Sequence, residues 1–298
     1  FRLLEEKTLD PMKQFDSASM QLVQSLYDGL LSYHYLKRPY ELTPALLEKM
    51  PEKQADGTYL LTLRKGVVFH DNECFPGGKG REMTADDVVF SIKRFADSKV
   101  NDLSYSLIAG MVEGIDAFRE ASKAKDFDYK KMEITGLKKI DNYSLSLKFT
   151  LDSPLNFYPF AFGGMAIVPH EAITKYGDEF SKNPVGTGAL AMKSYSRRGT
   201  TVLSKNPKYW GTFPTEGEES DKAIIGAVGG KQLPFVDEVQ LPLIEETQPQ
   251  MLKFRKGQLN WVTVNKDDFS AMVDRIPNSY DFKLKPDLQG QFQLAYAP

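Results

Sequence analysis

The sequence predicts an α/β protein, and three observations carry that prediction. Strand-like and helix-like segments alternate over residues 235–275, which favours an α/β lobe. Apolar and polar residues alternate over residues 134–149, which predicts a β-hairpin with one wet face and one buried face. With 41% hydrophobic and 26% charged residues, the composition is that of an ordinary globular protein. A chain of 298 residues is expected to form about two domains.

Charge and cysteine content exclude several classes of function. The 38 basic and 40 acidic side chains nearly cancel, so no basic surface predicts nucleic acid or an anionic membrane as a partner. Cys74 is the single cysteine, which rules out an intrachain disulfide. No run of 18 apolar residues is present to span a membrane. Residues 1–9 are predicted to form a strand without a signal peptide before it, and we expect the chain to be a fragment.

The first helix is predicted to begin after residues 15–19. The hydroxyl and carboxylate groups of that segment suit a helix N-cap. Apolar residues then recur at helical spacing between Leu22 and Leu30, which predicts one buried helix face. Asp16 and Ser17 are interpreted mainly as capping groups, and contact with a ligand is the open alternative.

Residues 39–97 are predicted to form a meander of strands followed by a helix. Turns at 56–57 and 65–66 flank a strand at 59–64. Thr84 is the expected helix cap, and the acidic residues of the first turn face the positive end of the helix dipole.

The loop that precedes this helix contains potential metal ligands, namely His70, Asp71, Glu73 and Cys74. A metal site needs three or four convergent ligands with supporting hydrogen bonds, and this cluster has one thiol and one imidazole in a polar loop, so we predict no metal. The glycines of residues 77–80 imitate a phosphate-binding loop, but the residues at its first glycine and hydroxyl positions do not match.

Residues 103–131 are predicted to be helical, with Tyr105 near the start as either a core or a ligand-facing residue. A short helix is expected from Pro154, followed by a flexible loop at Phe162, Gly163 and Gly164. Another short helix is predicted from His170, where capping is favoured over catalysis.

The stretch of residues 182–211 combines a glycine bend with a hairpin. Gly186 and Gly188 are expected to adopt backbone angles that residues with a Cβ resist. Two strands, at 191–195 and 200–205, are predicted to be joined through Gly199 at positive φ. The Tyr-Trp pair that follows is expected to be an aromatic anchor.

The remaining elements complete the predicted α/β lobe. Residues 212–231 are predicted to be an exposed loop, rich in glycine and glutamate. A strand at 235–244, a helix at 247–256, a strand at 259–264 and a helix at 267–275 then follow in order.

No catalytic machinery can be identified from the sequence. A G-x-S-x-G elbow is absent, and the three histidines stand in no recognisable relation to a nucleophile. The glycines of residues 186–191 imitate a dinucleotide loop, but they lead into a strand where a helix is required. We therefore predict no catalytic residues and no cofactor.

The stretch PVGTGALAMKSYSRRGTTVLSKNPKYWG resembles the signature of the family 5 extracytoplasmic solute-binding proteins, the dipeptide, oligopeptide and nickel class that serves ABC transporters. Four further segments resemble the family in the same order: residues 8–11 with 26–30, residues 63–71 with 84–88, residues 236–239 and residues 254–260. The chain departs from the family pattern in the long insertion at 72–82, in Ala189-Leu190 and in Asn260.

The resemblance implies a fold of the type II, peptide-binding class of periplasmic binding proteins. Residues 1–40 and 180–264 then correspond to a discontinuous first ligand-binding lobe, and residues 41–179 to an α+β domain inserted into it. Residues 265–298 correspond to the start of a second lobe that is mostly absent.

The resemblance also implies a ligand held between two lobes and delivered to a membrane permease. The positions that match ligand-approaching segments of the family are Phe15, Asp16, Ser17 and Tyr105, together with Phe162, Gly163 and Gly164. The expected partners are a peptide and the permease subunits of an ABC transporter, with no nucleic acid. The protein is expected to be a monomer in the periplasm or a cell-surface lipoprotein.

Several alternatives remain open at the level of the sequence. Nickel chelates and oligosaccharides are the alternatives to peptides as the ligand. The alternative to a binding protein is an enzyme, namely an extracellular hydrolase. A fragment with half of a binding cleft is expected to fold but hardly to bind, since micromolar affinity needs about 8 kcal/mol and each hydrogen bond contributes about 0.5–1.5 kcal/mol.

Overall fold

The computed structural model describes residues 8–100, 104–196, 198–277, 279 and 281–295. The strand predicted at residues 1–9 therefore lies almost entirely outside the described residues. The described chain divides into two compact units. The first unit ends at Leu243, and the second unit begins at Ile244. Among the described residues, each helix is too short or too polar to cross a lipid bilayer.

The helices of the described residues are short, and most of them lie in the first unit. The α-helices are α1 Ser17–Leu26, α2 Ala85–Ala96, α3 Ile115–Ser122, α4 His170–Tyr176, α5 Lys222–Val228, α6 Thr247–Arg255 and α7 Lys266–Met272. The 3-10 helices are Pro76–Gly78, Tyr105–Leu107, Pro154–Ala161, Gly163–Met165, Gly177–Ser181 and Glu219–Asp221.

The strands pair into small antiparallel sheets. They are β1 Leu31–Tyr33, β2 Leu42–Pro44, β3 Glu52–Lys53, β4 Tyr59–Thr62, β5 Leu137–Asp141, β6 Ser144–Leu147, β7 Leu190–Ser194, β8 Thr200–Lys205, β9 Glu238–Pro242, β10 Val273–Arg275 and β11 Phe282–Leu284. A four-stranded sheet has the order β3-β4-β6-β5, a three-stranded sheet has the order β7-β8-β9, and β1-β2 and β10-β11 are pairs.

The two predicted helix caps are confirmed. The Asp16 carboxylate accepts a hydrogen bond from the Ser19 N–H at 2.8 Å and so begins α1. Thr84 and Asp87 form a capping box at the start of α2, in which the Thr84 N–H donates to the Asp87 carboxylate at 2.9 Å. Both helices bury one apolar face, as their residue spacing predicts.

The hairpin predicted at residues 134–149 is also confirmed. It consists of β5 and β6, and Leu145 and Leu147 of β6 are fully buried whereas Ser144 and Ser146 are half-buried. Strand β4, which lies far earlier in the chain, pairs with β6 and joins the hairpin to β3. Helix α2 packs against β5 of this sheet and also against α3.

The hairpin of the second sheet is confirmed, but the interpretation of its loop glycine is wrong. Strands β7 and β8 pair with a register irregularity between Met192 and Ser194. Gly199 does not have a positive φ. A Cβ at Gly199 would lie 2.6 Å from the Ser196 hydroxyl oxygen, so the nearest obstacle to a side chain there is another side chain of the loop.

Three segments of the first unit differ from their predictions. Of the segment predicted at 103–131, the described residues 104–131 are helical only at Tyr105–Leu107 and in α3, and Gly110 and Gly114 between these helices adopt positive φ. Residues 212–231, predicted to be a loop, contain α5, which buries none of its side chains. Phe162, Gly163 and Gly164, predicted to be a flexible loop, run into the 3-10 helix Gly163–Met165.

The second unit contains a small core of its own. Residues 259–264, predicted to be a strand, do not pair with another strand in the described structure. The helix predicted at 267–275 ends at Met272, because residues 273–275 form β10 and pair with β11. The core cluster of this unit is formed by Met251, Met272, Val273, Leu284 and Leu288.

The expected lobe boundaries stay a prediction. Strands β3 to β6 and helices α2 to α4 all fall within residues 41–179, the segment expected to be an inserted α+β domain. The boundary between the compact units lies at residue 243, earlier than the lobe boundary expected at 264.

Candidate functional site

Residues 186–188, which we call the glycine junction, are joined by hydrogen bonds to His70. The His70 N–H donates to the Gly186 carbonyl oxygen at 2.8 Å, and the Gly186 N–H donates to the imidazole Nδ1 at 3.4 Å. The imidazole Nε2 lies 2.9 Å from the Gly188 carbonyl oxygen, which also accepts from the Asn206 side-chain amide at 2.9 Å. Three separate sequence motifs therefore meet at one point.

The electrostatics of His70 fit this structural role. Burial lowers the pKa of His70 to about 4, and the nearby carbonyl of Gly188 opposes that shift only in part. The ring is therefore neutral near neutral pH, with Nε2 as the donor and Nδ1 as the acceptor. The metal interpretation of His70 gains no support here, since both ring nitrogens have backbone partners.

The glycines of the junction are required by close contact with the end of α1. A Cβ on Gly186 would lie 2.2 Å from the Leu26 carbonyl oxygen, and a Cβ on Gly188 would lie 2.4 Å from the Leu26 carbonyl carbon. Neither glycine has a positive φ, so the prediction that they adopt unusual backbone angles is wrong. The absence of a side chain lets two backbones approach each other.

Asp28 fixes the aromatic pair that follows the junction. Its carboxylate accepts from the Thr187 hydroxyl at 2.8 Å, from the Trp210 indole N–H at 3.2 Å and from the Tyr209 hydroxyl at 3.4 Å. Burial raises the pKa of Asp28, and the hydrogen bond from Thr187 is the first of those that offset the rise. The prediction that Tyr209 and Trp210 form an anchor is confirmed.

Phe15, Asp16 and Ser17, which we call the α1 start, are surface residues with different roles. The Asp16 carboxylate accepts from both the N–H and the hydroxyl of Ser19, at 2.8 and 2.7 Å. Helix capping therefore occupies Asp16, as the capping interpretation predicts. Phe15 is 57% exposed and Ser17 is also exposed, so these two side chains remain accessible.

A buried ion pair supports the segment that leads into the α1 start. Arg94 of α2 donates from its two terminal nitrogens to the Asp10 carboxylate at 2.9 and 2.6 Å. Both side chains are at most 5% exposed. The Tyr27 hydroxyl donates to the Leu9 carbonyl oxygen at 3.1 Å, so two interactions tie this segment to the core.

Tyr105 is packed against α3 and is only 8% exposed. Its hydroxyl donates to the Asp116 carboxylate, and the Arg119 guanidinium carbon lies 4.1 Å from the centre of its ring. Burial raises the pKa of Tyr105, and the hydrogen bond to Asp116 adds to the rise. The structure thus gives Tyr105 intramolecular partners, and a contact with ligand stays a prediction.

Gly163 lies beside α1. A Cβ there would be 3.7 Å from side-chain atoms of Val23 and Gln24, whereas a Cβ on Gly164 would be 2.4 Å from the Phe162 ring. Residues 162–164 are therefore close to the helix that begins at the α1 start. Tyr105, in contrast, has its hydrogen-bond and cation–π partners on α3.

Gln14, which precedes the α1 start, is a further candidate that the sequence pattern did not indicate. Its side chain is 2% exposed, and neither atom of its amide has a hydrogen-bond partner within the described residues. Such a group is costly to bury, so it is a candidate for contact with a ligand or a water. A lone glutamine in sequence carries no signal of burial.

Two clusters with metal-ligand side chains are occupied by internal cations. Ligand atoms of Asp87, His170 and Glu171 lie within 4.8 Å of one another. The Arg81 guanidinium bonds both carboxylates, with distances of 2.7 Å to Asp87 and 2.6 Å to Glu171. In the 70–82 loop, the Asp71 carboxylate accepts hydrogen bonds from the ammonium groups of Lys208 and Lys79. These two lysines hold the pKa of Asp71 well below its usual range.

Comparison with known proteins gives a family and relatives. Residues 41–292 match the family described as bacterial extracellular solute-binding proteins, family 5 Middle. The chain is 27% identical over 261 residues to the probable deoxycholate-binding periplasmic protein YgiS of Escherichia coli (strain K12), a match covering 83% of this chain and 45% of that protein. It is 25% identical over 280 residues to the periplasmic oligopeptide-binding protein OppA of Salmonella typhimurium, covering 92% of this chain and 44% of that protein.

A solved structure gives the fold. The ABC transporter-associated periplasmic binding protein DppA from Helicobacter pylori, in complex with peptide STSA, superposes with a TM-score of 0.63 at 22% identity, over 87% of this chain and 44% of that one. This likeness confirms the predicted fold class, the type II periplasmic-binding-protein fold. The chain spans less than half the length of these relatives.

Proposed function

This chain belongs to family 5 of the bacterial extracellular solute-binding proteins, and on that premise we propose that it is part of the extracytoplasmic binding component of an ABC importer. The family match over residues 41–292 is the observation that carries the proposal. In this role the protein binds its solute in a cleft between two lobes, closes around it and delivers it to a membrane permease.

Peptides are the proposed ligands. OppA of Salmonella typhimurium is named an oligopeptide-binding protein, and a dipeptide-binding protein of Escherichia coli (strain K12) is 30% identical over 184 residues. The relative YgiS is named as probably binding deoxycholate, so a steroid acid is an outcome that the test must separate from a peptide. Nickel chelates and oligosaccharides are the further alternatives.

The α1 start is the proposed ligand-facing part of this chain. Phe15 offers an exposed ring, and Ser17 offers an exposed hydroxyl at the first turn of a ten-residue helix. Asp16 is engaged in capping, so Phe15 and Ser17 are the side chains that we assign to ligand contact, with Tyr105 and residues 162–164 as further contacts. Phe15 suits this assignment because its ring is 57% exposed and so can contact a ligand directly.

A binding role is favoured over hydrolysis. The imidazole of His70 is engaged with backbone groups, and the His34 Nδ1 accepts from the N–H groups of Leu36 and Lys37 at 3.3 and 3.1 Å. Burial raises the pKa of Cys74 to about 11, which opposes thiolate formation. These groups are therefore poorly suited to act as a base or a nucleophile.

The proposed binding site needs more protein than this chain provides. Since the chain spans less than half the length of its relatives, we propose that this chain alone binds peptides more weakly than about micromolar. Calorimetric titration of di- and tripeptides into the chain should show no saturation in that range. Micromolar binding would contradict this expectation.

The ligand is best identified by native mass spectrometry of the full-length protein that contains this chain. We expect a bound mass that fragments as a peptide. A steroid acid or a nickel chelate would replace the peptide assignment and leave the binding role intact. Turnover of a peptide or glycan, abolished by a single carboxylate substitution, would overturn the binding role itself.

The site assignment is tested separately with Phe15→Ala in the full-length protein. We expect its affinity for the identified ligand to fall roughly tenfold through loss of apolar contact. Leu151→Ala is the matched control, because Leu151 is 79% exposed and lies outside the predicted site. Equal affinity of the two variants would contradict the site while leaving the function standing.

A further inference from the structure

An open cavity lies in the first unit, away from the residues assigned to peptide binding. Its volume is about 790 Å³, which is within the range of small-molecule sites. Its walls come from β1, from β2 and the segment between them, and from residues 209–216 with Leu233 and Phe235. Phe15, Tyr105 and residues 162–164 are not among its lining residues.

Aromatic rings dominate the cavity wall, and several are exposed. Tyr35 is 67% exposed, Phe235 is 52% exposed and Tyr33 is 44% exposed. The Phe213 ring lies between two of them, with its centre 5.7 Å from that of Tyr35 and 6.0 Å from that of Phe235. The exposed rings of Tyr35 and Phe235 therefore both pack on the buried ring of Phe213 at the cavity wall.

Among the side chains that line the cavity, two are acidic and one is basic. Lys37 lies 3.4 Å from a Glu41 carboxylate oxygen and 3.5 Å from a Glu216 carboxylate oxygen. Two carboxylates around one ammonium group give a net charge of about −1, and both distances exceed the ~2.7–2.9 Å of a tight charge-assisted hydrogen bond. Glu41, followed by Glu216, raises the pKa of Lys37, as a locally negative field requires.

Rings of this region already take cations on their faces. The Arg38 guanidinium carbon lies 4.2 Å from the centre of the Tyr40 ring, and the Arg64 guanidinium carbon lies 4.6 Å from that of Trp210. Arg38, Tyr40 and Arg64 are not among the lining residues, whereas Trp210 is. The chemistry of a cation on an aromatic face is thus present beside the cavity.

We propose that this cavity binds an organic cation, an ammonium or guanidinium group on an apolar body, with the apolar body on the Tyr35 and Phe213 rings and the cation beside Glu216 and Glu41. An anionic ligand would meet the excess negative charge, and a neutral ligand would leave it unused. The site is independent of the proposed peptide function, because it uses none of the same residues.

The experiment uses the fluorescence of Trp210, which lines the cavity. Trp210 and Trp261 are the two tryptophans of the chain, so Trp261→Phe leaves Trp210 as the single reporter. Phenethylamine is titrated as the probe, with 2-phenylethanol as its neutral analogue and phenylacetate as its anionic analogue. We expect saturable quenching by the amine, with affinity at least roughly fivefold higher than for the alcohol and lost as salt is raised. Equal affinity for the three compounds, or no saturable quenching by the amine, would overturn the proposal.

Two variants test the assignment of the cation and of the ring. Glu216→Gln and Tyr35→Ala change exposed side chains, and each should weaken amine binding roughly threefold or more. Glu218→Gln is the matched control, because Glu218 is an exposed acid two residues away that does not line the cavity. A loss as large in Glu218→Gln as in Glu216→Gln would mean a diffuse charge effect and would contradict a built site.

Discussion

The glycine junction lies within the family's most specific sequence pattern, whereas the α1 start lies between two matching segments, at residues 8–11 and 26–30. At the junction, Gly186, Gly188 and His70 are specified by contacts of a few ångströms with backbone atoms. At the α1 start, Phe15 and Ser17 face solvent, and only Asp16 has a role that the fold dictates. The comparison shows that the most specific motif identifies the scaffold, whereas the residues assigned to ligand are weakly constrained by it.

Of the two regions, the larger loss of stability is expected from breaking the buried ion pair between Asp10 and Arg94, which supports the segment before the α1 start. Arg94→Met leaves the Asp10 carboxylate buried without its partner, and we expect a loss of about 3–5 kcal/mol in the free energy of unfolding. Urea denaturation of the chain measures this loss. It would show that the exposed α1 start depends on a buried ion pair as strongly as the junction depends on its glycines.

Two controls bear on that result. Adding Asp10→Asn to Arg94→Met removes the unpaired charge and should restore part of the stability. Lys139→Met breaks an exposed pair with Asp86, whose side chain is 70% exposed, and should cost no more than about 1 kcal/mol. An effect of Arg94→Met as small as that of Lys139→Met would contradict the supporting role of the buried pair.

The junction should tolerate no side chain at Gly188. In Gly188→Ala the new Cβ would lie 2.4 Å from the Leu26 carbonyl carbon and 2.6 Å from the Ser25 carbonyl oxygen, and backbone atoms cannot rotate away. We expect a loss of about 3 kcal/mol, measured by urea denaturation. The matched control is Gly226→Ala in α5, where a Cβ would meet no atom within 4 Å, so the change should be neutral or slightly stabilising. Gly57→Ala is unsuitable as a control because Gly57 has a positive φ. Similar losses in Gly188→Ala and Gly226→Ala would remove the close-approach explanation.

His70 should make the stability of the chain depend on pH. Its pKa is about 4 in the folded chain against an ordinary value of 6.5, so the unfolded chain binds a proton first as the pH falls. The stability contributed by the neutral ring is complete above the ordinary pKa and is lost progressively down to the folded pKa. Between about pH 7 and about pH 4.5 this amounts to about 2 kcal/mol.

The measurement is the difference in unfolding free energy between the chain and His70→Gln at the two pH values. The glutamine amide keeps a donor for the Gly188 carbonyl and does not titrate in this range. The chain should lose stability relative to His70→Gln as the pH falls. A difference that stays constant with pH would mean that the ring is not held neutral at the junction.

The sequence by itself determined the local elements of this protein. The caps of α1 and α2 and the β5-β6 and β7-β8 hairpins follow from residues close to each other in the chain, because capping, turn formation and residue alternation are short-range effects. The family pattern at residues 182–211 likewise identified the fold class before any contact was known.

Only the tertiary structure decided why the junction needs its glycines, where β10 replaces a predicted helix end, and that the Gln14 amide is buried without a hydrogen-bond partner among the described residues. Each of these depends on atoms that approach from distant parts of the chain, such as the end of α1 against the junction. The same holds for the aromatic cavity, whose rings come from β1, from the segment after it and from residues 209–235. Side-chain spacing cannot reveal such contacts, because the backbone path that brings them together is set by packing of the whole unit.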